Sequence, residues 1–547
     1  MNVILIFSAI GAIGLLVALF QMRNQPKGLY ILFFAEMWER FSYYGMRALL
    51  VFYLTKHFLF DQAAAYGLYG AYTTLVYIMP VIGGVLADRY LGQRRAVLIG
   101  AVLLVLGHGG MAIEGEPVVA GEDPDPTILN IFYFSLALII MGVGFLKANI
   151  SAIVGELYSK TDKRRDSGFT FFYVGINAGA FFGALYAGYL GETYGWKYGF
   201  GLAGIGMLAG LIVFVLGKPL LKGAGESPDL ALLKAKRFLG LSTEWLIYIG
   251  TAIMTVFVWY VVRDQGTVGK LLYASMAITY LYILGRSVLT LEPHARDRIF
   301  AALFLITVQV LFWALFEQAG SSLNVYADQQ VDRTLLGQEV PASVFQSLNA
   351  MYIIFLGPVF AAVWVFLGKR GMEPSAPQKF GLGVIQLGLG FLVLVWGANS
   401  SAGLTPVAFI FLIYLLHTTG ELCLSPVGLS AMTRLSTARM VGLIMGAWFL
   451  ASGAGNFVAG LIAQATAGGG QGAEGGGNEA LVLEVYSNVG WMAVAVGVGL
   501  IVVSPLINYL MHLNTLTDDA HPLAGESEIG EPGGPGMHPP RKEETGA

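Results

Sequence analysis

One cysteine, Cys423, occurs in 547 residues, so no internal disulfide can form. Histidines and cysteines are not gathered into clusters, which leaves no ligand set for a metal and no facing pair for a membrane redox centre. Charge is equally scarce. Asp, Glu, Lys and Arg supply 12% of the chain, where a soluble domain carries about a quarter. A net charge of −3 offers no polyanion-binding surface, so nucleic acid is excluded as a partner. What is abundant is apolar: 56% of residues are hydrophobic, which places the chain in a lipid bilayer. No cofactor and no enzyme chemistry are expected.

Apolar segments of spanning length fall at about residues 28–57, 64–87, 95–113, 128–157, 167–190, 198–217, 243–263, 267–290, 299–325, 342–368, 380–398, 405–432, 440–465 and 483–510. A further apolar run, residues 2–20, lacks a basic leader and a clear cleavage site, so it reads as an extra helix rather than a signal peptide. Arg40, Arg47 and Lys147 lie inside spans, and Lys56, Lys197, Arg263, Lys270 and Arg333 lie on one face. The remainder of the 32 Lys and Arg share the other face, which the positive-inside rule makes cytoplasmic. The acidic loop 114–125 and the Gly-rich loop 468–477, a flexible linker, are then outside. The tail 517–547, rich in Gly, Pro and Glu, is expected to be cytoplasmic and disordered.

Residues 36–45 read EMWERFSYYG, inside one of these spans. Ionisable groups at that depth are expensive and mark function by default. At 100° per residue, Glu36, Glu39, Arg40, Tyr43, Tyr44 and Arg47 share roughly 140° of arc, one polar stripe that must face a cavity or another polar helix.

The longest cytoplasmic connection after the first six long spans, residues 218–243, precedes two spans without a buried charge, and six more follow. Six, an inserted pair and six is the plan of an all-α polytopic protein with the major facilitator fold. The segment GGVLADRYLGQRR, residues 83–95, resembles the loop that this fold carries between its second and third spans. Its Gly allows close helix approach, and Asp88 with its arginines sits at a helix end where it can bind across the interface. The chain is thus divided into an extra N-terminal helix (1–22), a first bundle (27–217), a linker with the inserted pair (218–291), a second bundle (294–512) and a tail (513–547). Helix n of one half then corresponds to helix n+6 of the other. Glu36, Glu39, Arg40 and Arg47 on the first helix face Glu317 on its counterpart, and Lys147 on the fourth faces Glu421. At about 1.5 Å per residue, Arg47 and Glu317 lie ~28 and ~27 Å from the cytoplasmic starts of their helices and can pair. Arg40, Lys147 and Glu421, at ~18, ~15 and ~18 Å, form a second layer nearer mid-membrane. Two ion-pair layers that cannot both open at once are what alternating access requires.

These residues closely resemble the proton-dependent oligopeptide transporter family, also called the peptide transporter family. EMWERFSYYG is similar to its first-helix signature ExxERFxYYG; FYVGINAG (172–179), FWALFEQAGS (312–321), FQSLN (345–349) and GELCLSPVGLS (420–430) follow in order. The resemblance runs from about residue 27 to 510. It implies symport of di- and tripeptides with protons into the cell, across the cell (inner) membrane, with the C-terminus cytoplasmic and the monomer functional. It assigns the peptide carboxylate to Arg40 and Lys147, the ammonium to Glu421, the peptide backbone to Tyr43, Tyr44, Tyr77, Asn177 and Asn349, and side-chain pockets to Trp313 and Trp448. A small peptide is a dipole with fixed terminal charges, and cations facing a carboxylate read those ends while leaving side chains unspecified. Proton coupling requires a carboxylate whose proton affinity rises on burial and falls beside a cation, which suits Glu36, Glu39 and Glu317. Arg47 with Glu317 is expected to close the outside, and Lys147 with Glu421 the inside.

The chain departs from the family in places. Eukaryotic members carry a functional histidine on the second helix, absent here from residues 64–87, and some bacterial relatives have a glutamate where this chain has Phe316. His417 and His108 read as satisfied interior histidines, and Glu156 as a gate or loop contact. Another cargo for the same fold, such as a drug, nitrate or an amino acid, stays open, although Lys147 with Glu421 favours a zwitterion. A channel would want a ring of like charges, which is not present.

Overall fold

Seventeen α-helices dominate the computed structural model, which describes residues 3–159, 162, 164–437, 440–468 and 479–513. The expected Gly-rich linker, beyond Gly468, and the tail from residue 514 lie outside the described residues. Helix α1 covers Val3–Gln21 and the first half comprises α2 Lys27–Phe52, α3 Gln62–Leu86, α4 Gln93–Met111, α5 Pro126–Glu156, α6 Arg165–Tyr194 and α7 Trp196–Gly217. A short α8, Leu230–Lys234, leads to the inserted pair α9 Thr243–Val261 and α10 Gln265–Thr290. The second half is α11 Pro293–Phe316, a short α12 Ser322–Gln330, α13 Ser347–Gly368, α14 Ala376–Asn399, α15 Ala408–Leu435, α16 Val441–Thr466 and α17 Glu479–Met511. The fold is the expected major facilitator arrangement with an inserted pair and an additional N-terminal helix.

Fourteen described helical segments are long and apolar enough to cross a membrane. Helix α2 is not among them, because Glu36, Glu39, Arg40 and Arg47 lower its hydropathy, yet all four are buried. It passes through the bilayer wrapped in protein rather than lipid, chiefly α6 and α7. Several helices begin with a side-chain cap on an otherwise unpaired amide: Asp61 on Ala64, Asp125 on Thr127, Ser242 on Trp245, and a capping box of Ser375 with Gln378.

Within GGVLADRYLGQRR the glycine behaves as expected and the arginines do not. A Cβ on Gly83 would sit 2.1 Å from the Gly144 carbonyl oxygen, so α3 and α5 touch backbone to backbone. Arg94 pairs with Glu226 at 2.7 Å and Arg95 with Glu244 at 3.5 Å. They fasten the 218–243 connection and the start of α9 to α4 rather than bridging the two halves. Glu156 is a loop contact, accepting from the Gly225 amide at 2.7 Å.

The expected span 299–325 is broken. Helix α11 ends at Phe316, a 3₁₀ turn covers Glu317–Gly320, and α12 starts at Ser322. Other helices are packed close at the break. A Cβ on Gly320 would lie 1.8 Å from the Tyr69 hydroxyl and 3.1 Å from Arg47 Nε, so α3 and α2 occupy the space that a side chain there would take.

The halves meet near the face that carries the acidic loop and part toward the basic face. Gly70 packs on Gly460, and Thr74 Oγ1 donates to the Gly453 carbonyl at 3.2 Å. Farther along α3, Val81, Ile82 and Val85 are exposed, and a side chain added at Gly446 or Gly442 of α16 would meet nothing within 4 Å among the described residues.

Candidate functional site

Helix α2 delivers the charges. Arg40 Nε lies 2.8 Å from Glu36 Oε1 and 3.0 Å from Glu39 Oε2, both on its own helix, and all three are at most 5% exposed. Neither Glu39 oxygen accepts a well-aligned hydrogen bond among the described residues, and it shares Arg40 with Glu36.

Two turns along, Arg47 crosses to the other half. Its Nη2 lies 2.5 Å from Glu317 Oε2, its Nε donates to the Tyr69 hydroxyl at 2.7 Å, and its guanidinium stands 5.5 Å from the Tyr44 ring centroid. The depth match read from the sequence is realised as an ion pair. Around it the face with the acidic loop is sealed by further bonds between halves: Asn324 Nδ2 to the Ala48 carbonyl at 3.1 Å, the Ser343 amide to Glu192 at 2.9 Å, and Lys56 with Asp328 at 2.7 Å.

Beneath this seal is a small cavity of about 70 Å³. Of the residues expected at the site, Tyr44, Arg47, Tyr77, Trp313, Glu317, Asn349 and Glu421 line it. Glu421 accepts from Asn349 Nδ2 at 2.9 Å, and Asn349 is also 3.1 Å from Thr418 Oγ1. Lys147, on the opposite half, holds its ammonium 3.8 Å over the Tyr77 ring, and no carboxylate among the described residues lies within 4.0 Å of it. The Lys147–Glu421 pair is therefore not formed in this conformation: one group is held by a ring of its own half, the other by an amide of its own half.

Other expected residues stand back from the cavity. Tyr43 is buried with its ring edge-on to Tyr44, 5.2 Å between centroids. Asn177 bonds the Tyr173 carbonyl one turn back on α6, at 2.9 Å. Trp448 is 3% exposed and lies against Gly428, where an added Cβ would be 2.1 Å from the indole. That glycine draws the ring into the α15–α16 interface instead of the cavity. His108 is fully buried, but neither ring nitrogen has a hydrogen-bond partner among the described residues, so it is interior without being satisfied as expected. His417 is also buried, its ring tilted against Phe391 with centroids 4.9 Å apart, but it contributes to the cavity wall, as do Phe316, Gln346, Ala319 and Tyr414. Tyr414, His417 and Glu421 follow the i, i+3, i+7 spacing of one helical face, a signal available in the sequence.

Arg47 of the first half shares the cavity wall with Glu317 and Glu421 of the second, whereas Glu36, Glu39, Arg40 and Lys147 are not among its lining residues. Residues 94–475 match the model of the POT family. The chain belongs to the POT family. It is 37% identical over 474 residues to the peptide transporter YePEPT of Yersinia enterocolitica, covering 80% of this chain and 88% of the relative. It is also 38% identical over 444 residues to the uncharacterized transporter YclF of Bacillus subtilis, covering 79% and 86%. Among solved structures, a crystal structure of a peptide transporter POT variant in complex with alafosfalin superposes with a TM-score of 0.76 at 34% identity, covering 90% of this chain and 96% of that one. As a POT-family member the chain is a multi-pass membrane protein built for transport.

Proposed function

We propose that this chain carries di- and tripeptides into the cell together with protons, as a monomer of the inner membrane that alternates access between its two faces. The observation that carries the reading is the unequal state of the two charge layers. Arg47 and Glu317 are paired across the halves, while Lys147 and Glu421, on opposite halves, each lack an ionic partner. A zwitterion whose carboxylate reaches Lys147 and Arg40, and whose ammonium reaches Glu421, supplies what both lack. The basic face is assigned to the cytoplasm together with the C-terminus, which makes this conformation open inward. Of the residues expected to contact the peptide, Tyr44, Tyr77 and Asn349 are assigned to its backbone and Trp313 to its side chains, because Tyr43, Asn177 and Trp448 stand back from the cavity. Glu36, Glu39 and Glu317 carry the coupling.

Labelled dialanine should accumulate in liposomes holding the purified protein under an inward proton gradient. Failure of several di- and tripeptides would sink the peptide reading and leave another small solute as cargo. Glu421→Gln removes a charge-assisted bond of about 1.5–3 kcal/mol, so dialanine should bind roughly 10- to 150-fold more weakly. N-acetyl-dialanine, lacking the ammonium, should bind both proteins equally weakly; an equal loss for both ligands would place the ammonium elsewhere.

A further inference from the structure

Trp313 is a partly buried wall of the cavity, on the last turns of α11. Its indole N–H donates to Gln309 Oε1, one turn back, at 3.3 Å. Gln309 itself is fully buried and absent from the cavity wall, and its amide nitrogen donates to the Trp448 carbonyl of α16 at 2.7 Å. That carbonyl sits inside a helix and also takes the Ser452 hydroxyl, at 3.2 Å. One side-chain amide therefore bonds two groups on two helices. The helices are close here: a Cβ on Gly455 would be 2.5 Å from Trp313 Cβ. One residue beyond Ser452, the Gly453 carbonyl accepts from Thr74 of the other half.

We propose that Gln309 is a positioning residue that sets the Trp313 ring in the substrate cavity and thereby the cavity's preference among peptide side chains. The specificity part rests on the peptide-transport reading; the positioning part does not. The chemistry is that of a rotamer lock. With its N–H bonded, the indole is confined to the orientation that stands edge-on to Phe316, with centroids 5.3 Å apart and planes at 83°. Without the bond, the ring is free to enter other staggered wells and to cover a different part of the wall. Because Gln309 also grips α16, the ring's position is referred to the helix that carries the contact between halves, not to α11 alone. Dialanine, with methyl side chains only, reports little of this wall; a peptide with a large aromatic side chain reports it directly.

The test replaces Gln309 by Met, similar in volume but without either bond. With 5-fluorotryptophan incorporated and the Trp313 signal assigned by its loss in Trp313→Phe, Gln309→Met should shift or broaden that one fluorine resonance. In uptake, KM for alanyl-phenylalanine should change by about two- to tenfold relative to dialanine, the worth of one neutral hydrogen bond, with the maximal rate for dialanine unchanged. Trp313→Phe keeps the ring and removes the N–H, so adding Gln309→Met to it should leave the selectivity ratio where Trp313→Phe put it. An unmoved resonance overturns the positioning role. A moved resonance with an unchanged ratio, or additive effects in the double variant, overturns the specificity role. If the parent protein moves no peptide, the transport reading fails while the resonance still decides the positioning.

Discussion

Arg47→Ala is expected to unseal the face that carries the acidic loop and to abolish concentrative uptake. The substitution leaves Glu317, 2% exposed, as a buried charge without its partner at 2.5 Å. Breaking a buried pair from one side costs about 3–5 kcal/mol, enough to shift a two-state equilibrium by a factor on the order of 10²–10³. Tyr69 loses its bond to Arg47 as well. The remaining seals, at Asn324, Ser343 and Lys56, are hydrogen bonds or a partly exposed pair and cannot supply that much. The measurement is thiol labelling: with Cys423 replaced by Ser and a cysteine placed at Asn324, a membrane-impermeant maleimide should react much faster once Arg47 is removed. Exchanging the two residues, Arg47→Glu with Glu317→Arg, should slow it again. Equal labelling in all three backgrounds would mean that the pair does not hold this face shut.

Glu39→Gln should uncouple transport from the proton gradient. Proton-driven uptake should fall by about tenfold or more, an effect of at least about 1.4 kcal/mol on coupling, while exchange of labelled for unlabelled peptide at equal pH persists. The structure supplies the reason for the difference. Arg40 keeps Glu36 at 2.8 Å when Glu39 is neutralised, so the helix retains a balanced charge and the cavity its shape. What disappears is the carboxylate that stands 3.0 Å from Arg40 without an aligned hydrogen bond. Persistent driven uptake in Glu39→Gln would move the proton to Glu36 or Glu317.

Counting residues along two helices was enough to bring Arg47 and Glu317 to one level, because rise per residue is constant and an unpaired charge in lipid is too costly to keep. The same arithmetic put Arg40, Lys147 and Glu421 in one layer, yet no ion pair joins them. Depth along a helix says nothing of how far two halves are tilted apart, and the halves diverge between Thr74 and Val81. The break after Phe316 was equally illegible, since the run 299–325 is apolar throughout its first part and the packing of Tyr69 and Arg47 against Gly320 comes from other helices. Gln309 gave no sequence signal of its own, because its role is defined by a carbonyl 139 positions away.

Helix α1 is fastened at both ends of its acidic-face half to parts that must separate. Ser8 accepts from Tyr186 at 2.9 Å and Gly11 lies against Phe181, both of the first half, whereas the Val3 amide reaches Gln338 of the second half at 3.3 Å. If that face opens as proposed, the long bond from Val3 to Gln338 is expected to yield before the packed ring and hydroxyl do. The helix then rides with the first half as a pointer whose tip sweeps past the 334–339 hairpin. A pair of fluorophores at Val3 and Gln338 would read out each transport cycle as a change in their separation, in the working protein and without a substitution inside the cavity.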